Sequence, residues 1–159
     1  MKQTDTNPPD ADLLAGLAAL PGAGTVETRA DGLWMTAPLL DVEAMARAMT
    51  ALGARMVTVT GLARDDGETT VIYHYARGST MINLRTVSRN GAMPSLAPLV
   101  KPASWVEREL HDFFAVKFIG HPNLAPLFRP PGLTEGFFRA PDQKAAPASS
   151  SDQAISSTP

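Results

Sequence analysis

Three carboxylates, Glu107, Glu109 and Asp112, crowd into one short stretch, and with His74, His111 and His121 they are the side chains of this chain best suited to acid–base or metal chemistry. Glu109 and Asp112 stand three apart and share a helix face, as two carboxylates trading a proton would need. A small enzyme built on them would require a concave pocket lined by Glu107, Glu109 and Asp112 with at least one carboxylate pKa raised. The same spacing has a plainer use. Arg108 precedes Asp112 by four residues and Glu107 precedes His111 by four, so intrahelical pairing accounts for most of the cluster and predicts charges on a solvated face. The histidines lack the short spacing of a metal-binding helix or finger, with His74 far from the other two in sequence. His121 sits between Gly120 and Pro122, at a turn where its imidazole reaches backbone or a partner. His74, between Tyr73 and Tyr75, reads as a sheet-face residue with a hydrogen-bond partner. Pro21-Gly22-Ala23-Gly24 follows a helix and leads into a strand, the reverse of a phosphate-cradling loop, so it is a turn. No serine lies in a nucleophile-elbow context. The reading is therefore catalytic none, cofactor none, metal none.

The elements that would position these groups follow from periodicity. Asp10 caps a helix over 11–20, whose Leu13, Leu14, Leu17 and Leu20 fall at helical spacing before Pro21-Gly22 stops it. Strands over 25–29 and 33–37 flank an Asp31-Gly32 turn. Asp41 caps a second helix over 42–52, with Val42, Met45, Met49 and Leu52 on one stripe and Gly53 at its end. Strands over 55–63, 69–76 and 81–87 are joined by short turns at Asp65-Asp66-Gly67 and Gly78. Val57 and Val59 alternate with Thr58 and Thr60, and Ile82 and Leu84 with Asn83 and Arg85, which predicts a sheet covered on one face. The helix over 42–52 is its natural cover. Asn90 to Ala103 reads as a loop, and a third helix begins near Ser104 and runs into a strand. Its Val106, Leu110, Phe113 and Phe114 lie at i, i+4, i+7 and i+8 and should dock on the core. Trp34 and Trp105 serve as core or interface anchors. The fold class is α/β (α+β), a mixed, mainly antiparallel sheet of four to five strands packed against helices.

At 159 residues the chain fits one domain, read as a flexible leader over 1–9, a folded unit over 10–139 and a disordered Ala/Pro/Ser-rich tail over 140–159. A formal net charge of -2, without a basic stripe, gives no reason to expect nucleic acid. The chain has no cysteine, which excludes disulfides and iron–sulfur ligation by thiolates. Any redox centre then belongs to other chains. No apolar run approaches the roughly 18 residues of a bilayer span, so the expected location is cytoplasmic, with no direct membrane insertion.

Across Trp105 to Leu124, the pattern Trp-x-Glu-Arg-Glu-x-x-Asp-x-Phe is followed by Phe-x-Gly-His-Pro-x-Leu. It resembles the signature of the thirty-kilodalton subunit family of respiratory complex I, the NADH:quinone oxidoreductase, a module also found in related membrane-bound nickel–iron hydrogenases. The clearest match covers about a fifth of the chain. The resemblance implies a cofactor-free, non-catalytic peripheral-arm subunit, attached to the inner membrane through its complex. Its partners would be the large quinone-site or hydrogenase-like subunit and the iron–sulfur subunits. It also casts Trp105, Glu107, Arg108, Glu109, Asp112, Gly120, His121 and Pro122 as partner-docking residues. Departures from the pattern leave the equivalent accessory subunit of a hydrogenase or formate-hydrogenlyase-type complex as the alternative. Ala115 replaces the glycine usual after Asp-x-Phe, Ala125-Pro126-Leu127-Phe128 replaces an arginine-rich stretch, and a later element survives only as Glu135-Gly136-Phe137-Phe138-Arg139.

Overall fold

The computed structural model describes residues 11–139. The expected leader, the Asp10 cap and the tail lie outside these residues. Helix α1 (Ala11–Ala18) leads into the hairpin β1 (Val26–Arg29) and β2 (Gly32–Thr36). Helix α2 (Val42–Ala51) follows, its first turn held by the Asp41 carboxylate, which accepts the Ala44 N–H at 2.9 Å. Strands β3 (Arg55–Ala63), β4 (Thr69–Arg77) and β5 (Thr80–Val87) form an antiparallel meander. Then come β6 (Ala92–Pro94), α3 (Ala103–Phe114) and β7 (Lys117–Ile119).

The main sheet has the order β1-β2-β5-β4-β3, and its one parallel contact is between β2 and β5, with Leu33 opposite Ile82. Mixed and mainly antiparallel, it matches the architecture read from alternation. The three helices all cover the same face. Leu13 and Leu17 of α1, Met45 and Met49 of α2 and Leu110 of α3 share one core with Leu33, Met35, Val59, Val71, Tyr73, Tyr75, Ile82 and Leu84 of the sheet. Burial drives the Tyr73 and Tyr75 phenols well above their ordinary pKa, so both stay neutral in that core. The opposite face carries a polar row in which His74 bonds Thr60 Oγ1 (3.0 Å) and Asn83 Oδ1 (2.7 Å), the hydrogen-bonded sheet residue that its flanking tyrosines suggested.

Two local readings change. The register slips between Met56 and Thr58, so the bulged Val57 turns outward, 44% exposed, and only Val59 of that valine pair enters the core. Inside the expected loop, β6 pairs in parallel with β7. Three-residue strands are too short to show a period, and Pro94 disguises one of them. Helix α3 begins at Ala103, next to Ser104 as expected, and has no side-chain cap. Its first amides are satisfied by a tight turn instead, Ala103 N–H to Val100 O and Ser104 N–H to Lys101 O.

One close approach fixes where α3 lies. A Cβ at Gly61 would stand 2.5 Å from Leu110 Cδ2 and 2.7 Å from the Phe114 ring. Glycine in the middle of β3 thus lets the helix settle directly on the strand.

Candidate docking surface

Helix α3 sorts its charges in a way its spacing did not predict. Glu107 and Asp112, expected on an exposed face, are both 0% exposed, while Trp105 is 64% exposed and Glu109 half-buried. The predicted Arg108–Asp112 and Glu107–His111 pairs are replaced by contacts to loops distant in sequence. The physical reason is that these loops offer backbone groups that a helix neighbour cannot, and a buried carboxylate needs several donors at once.

Glu107 faces the β6–α3 connection. It accepts the Ser95 hydroxyl (2.6 Å) and the Leu96 N–H (2.6 Å). His121 Nε2 lies 3.9 Å from the same carboxylate, its imidazole fully covered although the Gly120–Pro122 backbone around it reaches solvent. Asn123 N–H donates to Nδ1 at 3.0 Å and Nε2 donates to Ser104 O at 3.1 Å, an arrangement that suits a neutral ring. Burial raises the Glu107 pKa, and the Ser95 hydroxyl and the Leu96 N–H offset part of that rise.

Asp112 faces the segment 125–139. One carboxylate oxygen, Oδ2, accepts three successive amides, from Leu127 (2.8 Å), Phe128 (2.8 Å) and Arg129 (3.2 Å). The other is 3.4 Å from Arg129 Nε. Burial alone would raise its pKa, but these N–H donors and the Arg129 guanidinium outweigh it and hold the carboxyl below its ordinary value. One turn earlier, Arg108 donates to Ala125 O (2.7 Å) and Pro126 O (2.8 Å). Arginine thus takes the carbonyls and aspartate the amides of a single loop. The helix end joins in: Gly136 N–H bonds Asp112 O and Phe138 N–H bonds Phe113 O. Ala115 closes α3 in the left-handed region at φ 55, where the family pattern leads one to expect glycine.

What this clamp presents is aromatic. Phe113 stacks on Phe128 (ring centroids 6.0 Å apart) and meets Phe137 (5.0 Å) and Phe138 (4.7 Å) at steeper angles. Phe128 and Phe138 remain 60% and 57% exposed, and Leu133 of the same segment is 42% exposed. Sequence reasoning missed this shelf because its residues are scattered over a segment without periodicity. The signal was there in Phe128, Phe137 and Phe138 recurring in a Pro/Gly-rich stretch. Phe113, expected in the core, is only partly buried and stands at the centre of the shelf, whereas Phe118 is buried.

The geometry does not assemble the enzyme alternative. A cleft of about 720 Å³ lies between the α2 start and the β6–β7 pair, lined by Leu40, Val42, Met93 and Ile119 among others. None of Glu107, Glu109 and Asp112 lines it. The histidines are dispersed as well: His111 bonds Val116 O, His121 the α3 start, and His74 the far face of the sheet.

The arrangement of helices on a mixed sheet is shared with a solved structure, the trypsin-resistant fragment (1–134) of Nqo5. The TM-score is 0.54 at 22% identity, over 70% of this chain and 96% of that one. The chain belongs to the family described as the respiratory-chain NADH dehydrogenase 30 kDa subunit, whose family model matches residues 36–151. Among its relatives is the C/D subunit of the NADH-quinone oxidoreductase of Methylococcus capsulatus, 35% identical over 66 residues, or 39% of this chain and 11% of that protein. Another is the probable mitochondrial NADH-ubiquinone oxidoreductase 30.4 kDa subunit of Candida maltosa, 41% identical over 49 residues, or 30% of this chain and 18% of that protein. The matched stretch is thus under a fifth of the length of either relative.

Proposed function

We propose that this chain is a cofactor-free, non-catalytic peripheral-arm subunit of an NADH:quinone oxidoreductase, and that it docks through the surface built on α3 and the 125–139 segment. Its principal partner in this reading is the large quinone-site subunit, with iron–sulfur subunits of the same complex nearby. The observation that carries the reading is the use made of the signature charges. Buried Asp112 and part-exposed Arg108 both bond the chain's own loop and hold it in a conformation that leaves Phe128 and Phe138 in solvent. Ordering a loop so that it displays large rings has an entropic and a hydrophobic cost, and interface energy is concentrated in such anchors.

Supporting observations come from the relatives and from the sequence. Several relatives carry the joint designation C/D, and this chain matches only a small part of them, which favours a D-type subunit as its neighbour. The names of these relatives also favour complex I over the hydrogenase-type assembly. The chain has no cysteine to ligate a cluster, and among the described residues no helix is long and apolar enough to cross a membrane. Any membrane attachment then runs through the partners.

The test is assembly. The tagged full chain, co-expressed with the D-type subunit, should co-purify with it, and Phe128→Ala combined with Phe138→Ala should abolish this while circular dichroism stays unchanged. A double variant that assembles like the unsubstituted chain overturns the docking surface.

A further inference from the structure

We infer that the α3 end of this surface recognises an acidic rim on the partner, through a basic and aromatic patch made of Lys101, Trp105 and Arg108. The inference rests on the docking reading above and adds the chemistry of the surface that meets it. Trp105 and Arg108 lie three residues apart on α3, with the guanidinium carbon 5.9 Å from the indole centroid, and the ring is 64% exposed. Arg108 is held by two carbonyl oxygens, Ala125 O and Pro126 O. Neutral acceptors orient a guanidinium without cancelling its charge, so Arg108 keeps a full positive charge at the surface. Lys101, exposed in the turn ahead of α3, adds a second cation, and no described carboxylate pairs with either.

The carboxylates that would neutralise the patch have been drawn away from it. Glu107 points into the core, and Asp112 and Glu135 both engage Arg129, leaving Glu109 as the remaining half-exposed acid on the helix. Counting Glu109, the patch carries two cations against one acid on a chain whose formal net charge is -2. Two copies meeting face to face through it would bring like charges together, which disfavours self-association. A tryptophan flanked by a fixed guanidinium instead fits an apolar notch bordered by aspartates or glutamates. Trp105 supplies contact area and the two cations supply steering and orientation.

The experiment measures binding of the full chain to the co-expressed D-type subunit over a range of ionic strength, for the unsubstituted chain, a double charge variant, Trp105→Ala, and the Phe128 and Phe138 double variant. In the charge variant, Lys101→Glu alters an exposed side chain, and Arg108→Gln keeps an N–H donor where Nε meets the Ala125 carbonyl, giving up the Pro126 bond and the charge. Together they should slow association roughly ten-fold at low salt and flatten its salt dependence. Trp105→Ala should raise Kd about 30-fold with the salt dependence retained. Unchanged salt dependence in the charge variant, with binding still lost in the Phe128 and Phe138 double variant, overturns the acidic rim and leaves the docking surface standing. No binding by the unsubstituted chain overturns both. A concentration-dependent dimer of the chain that Trp105→Ala abolishes would assign the patch to a second copy and also overturn the inference.

Discussion

Replacing Asp112 with asparagine is the sharpest test of the clamp, because it changes one atom and one charge at the point where helix and loop meet. The asparagine oxygen can take the place of Oδ2 and keep the three amides of Leu127, Phe128 and Arg129. Its NH2 group then faces Arg129 Nε, a donor against a donor. Each amide bond falls from the strength of a bond to a charged acceptor to that of a neutral one, a loss of about 1 kcal/mol apiece. The Arg129 contact, only partly exposed, adds about 1 kcal/mol more, moderated because Arg129 keeps Glu135 at 3.3 Å. The expected destabilisation is about 3–4 kcal/mol, with an upper limit set by release of the loop into water. The measurement is urea unfolding together with hydrogen exchange at residues 127–129, whose protection should drop ahead of the sheet. The sign with pH follows from the lowered pKa. The stabilisation by Asp112 is present above its unfolded value of about 3.9 and is lost as pH falls through the lower folded value, so the asparagine variant should show a shallower acid transition. Loop amides protected as before, with less than about 1 kcal/mol lost, would refute the clamp.

Glu107 should behave in the opposite sense. Its folded pKa is raised, so its contribution to stability is fully present below the unfolded value of about 4.3 and declines as pH rises through the folded one. In Glu107→Gln the amide still meets Leu96 N–H and the Ser95 hydroxyl, so the unfolding free energy should lose that decline above the unfolded value; parallel curves for the two forms would contradict it. Gly61→Ala places a methyl where Leu110 and Phe114 already sit and should destabilise by about 1–3 kcal/mol in thermal or chemical unfolding. A neutral effect would mean that α3 does not rest on β3. Ala115→Gly removes the left-handed strain at φ 55 and should stabilise by about 1 kcal/mol, read as a higher midpoint in urea.

Most of the main sheet was legible because its strands are long and alternate. The span 55–63 matches β3, and Asp41 caps α2 as its position before an apolar stripe suggested. Val57 escaped because a bulge inverts alternation at one residue without altering composition. The carboxylates of α3 were misplaced for a deeper reason. Helical spacing ranks neighbours within a helix, whereas Glu107 and Asp112 are satisfied by backbone amides eleven and fifteen to seventeen residues away. Main-chain donors leave no trace in side-chain identity, so nothing in Leu96, Leu127 or Phe128 announces that its amide serves a buried acid. The resemblance picked out the right helix and hid this division of labour, since a signature full of charges looks like a contact surface even when its two buried carboxylates are internal fasteners.

The parallel seam of the main sheet, between β2 and β5, has a consequence for how the chain reaches this shape. Strands β3, β4 and β5 follow one another through tight turns and form their contacts locally, but Leu33 meets its neighbours on β5 across fifty residues of sequence. Closing that loop is the slow entropic step, so the meander should form first and the amino-terminal hairpin should dock afterwards. Until it does, the central strand β5 is an open edge, and nascent chains are then most exposed to pairing with the wrong strand.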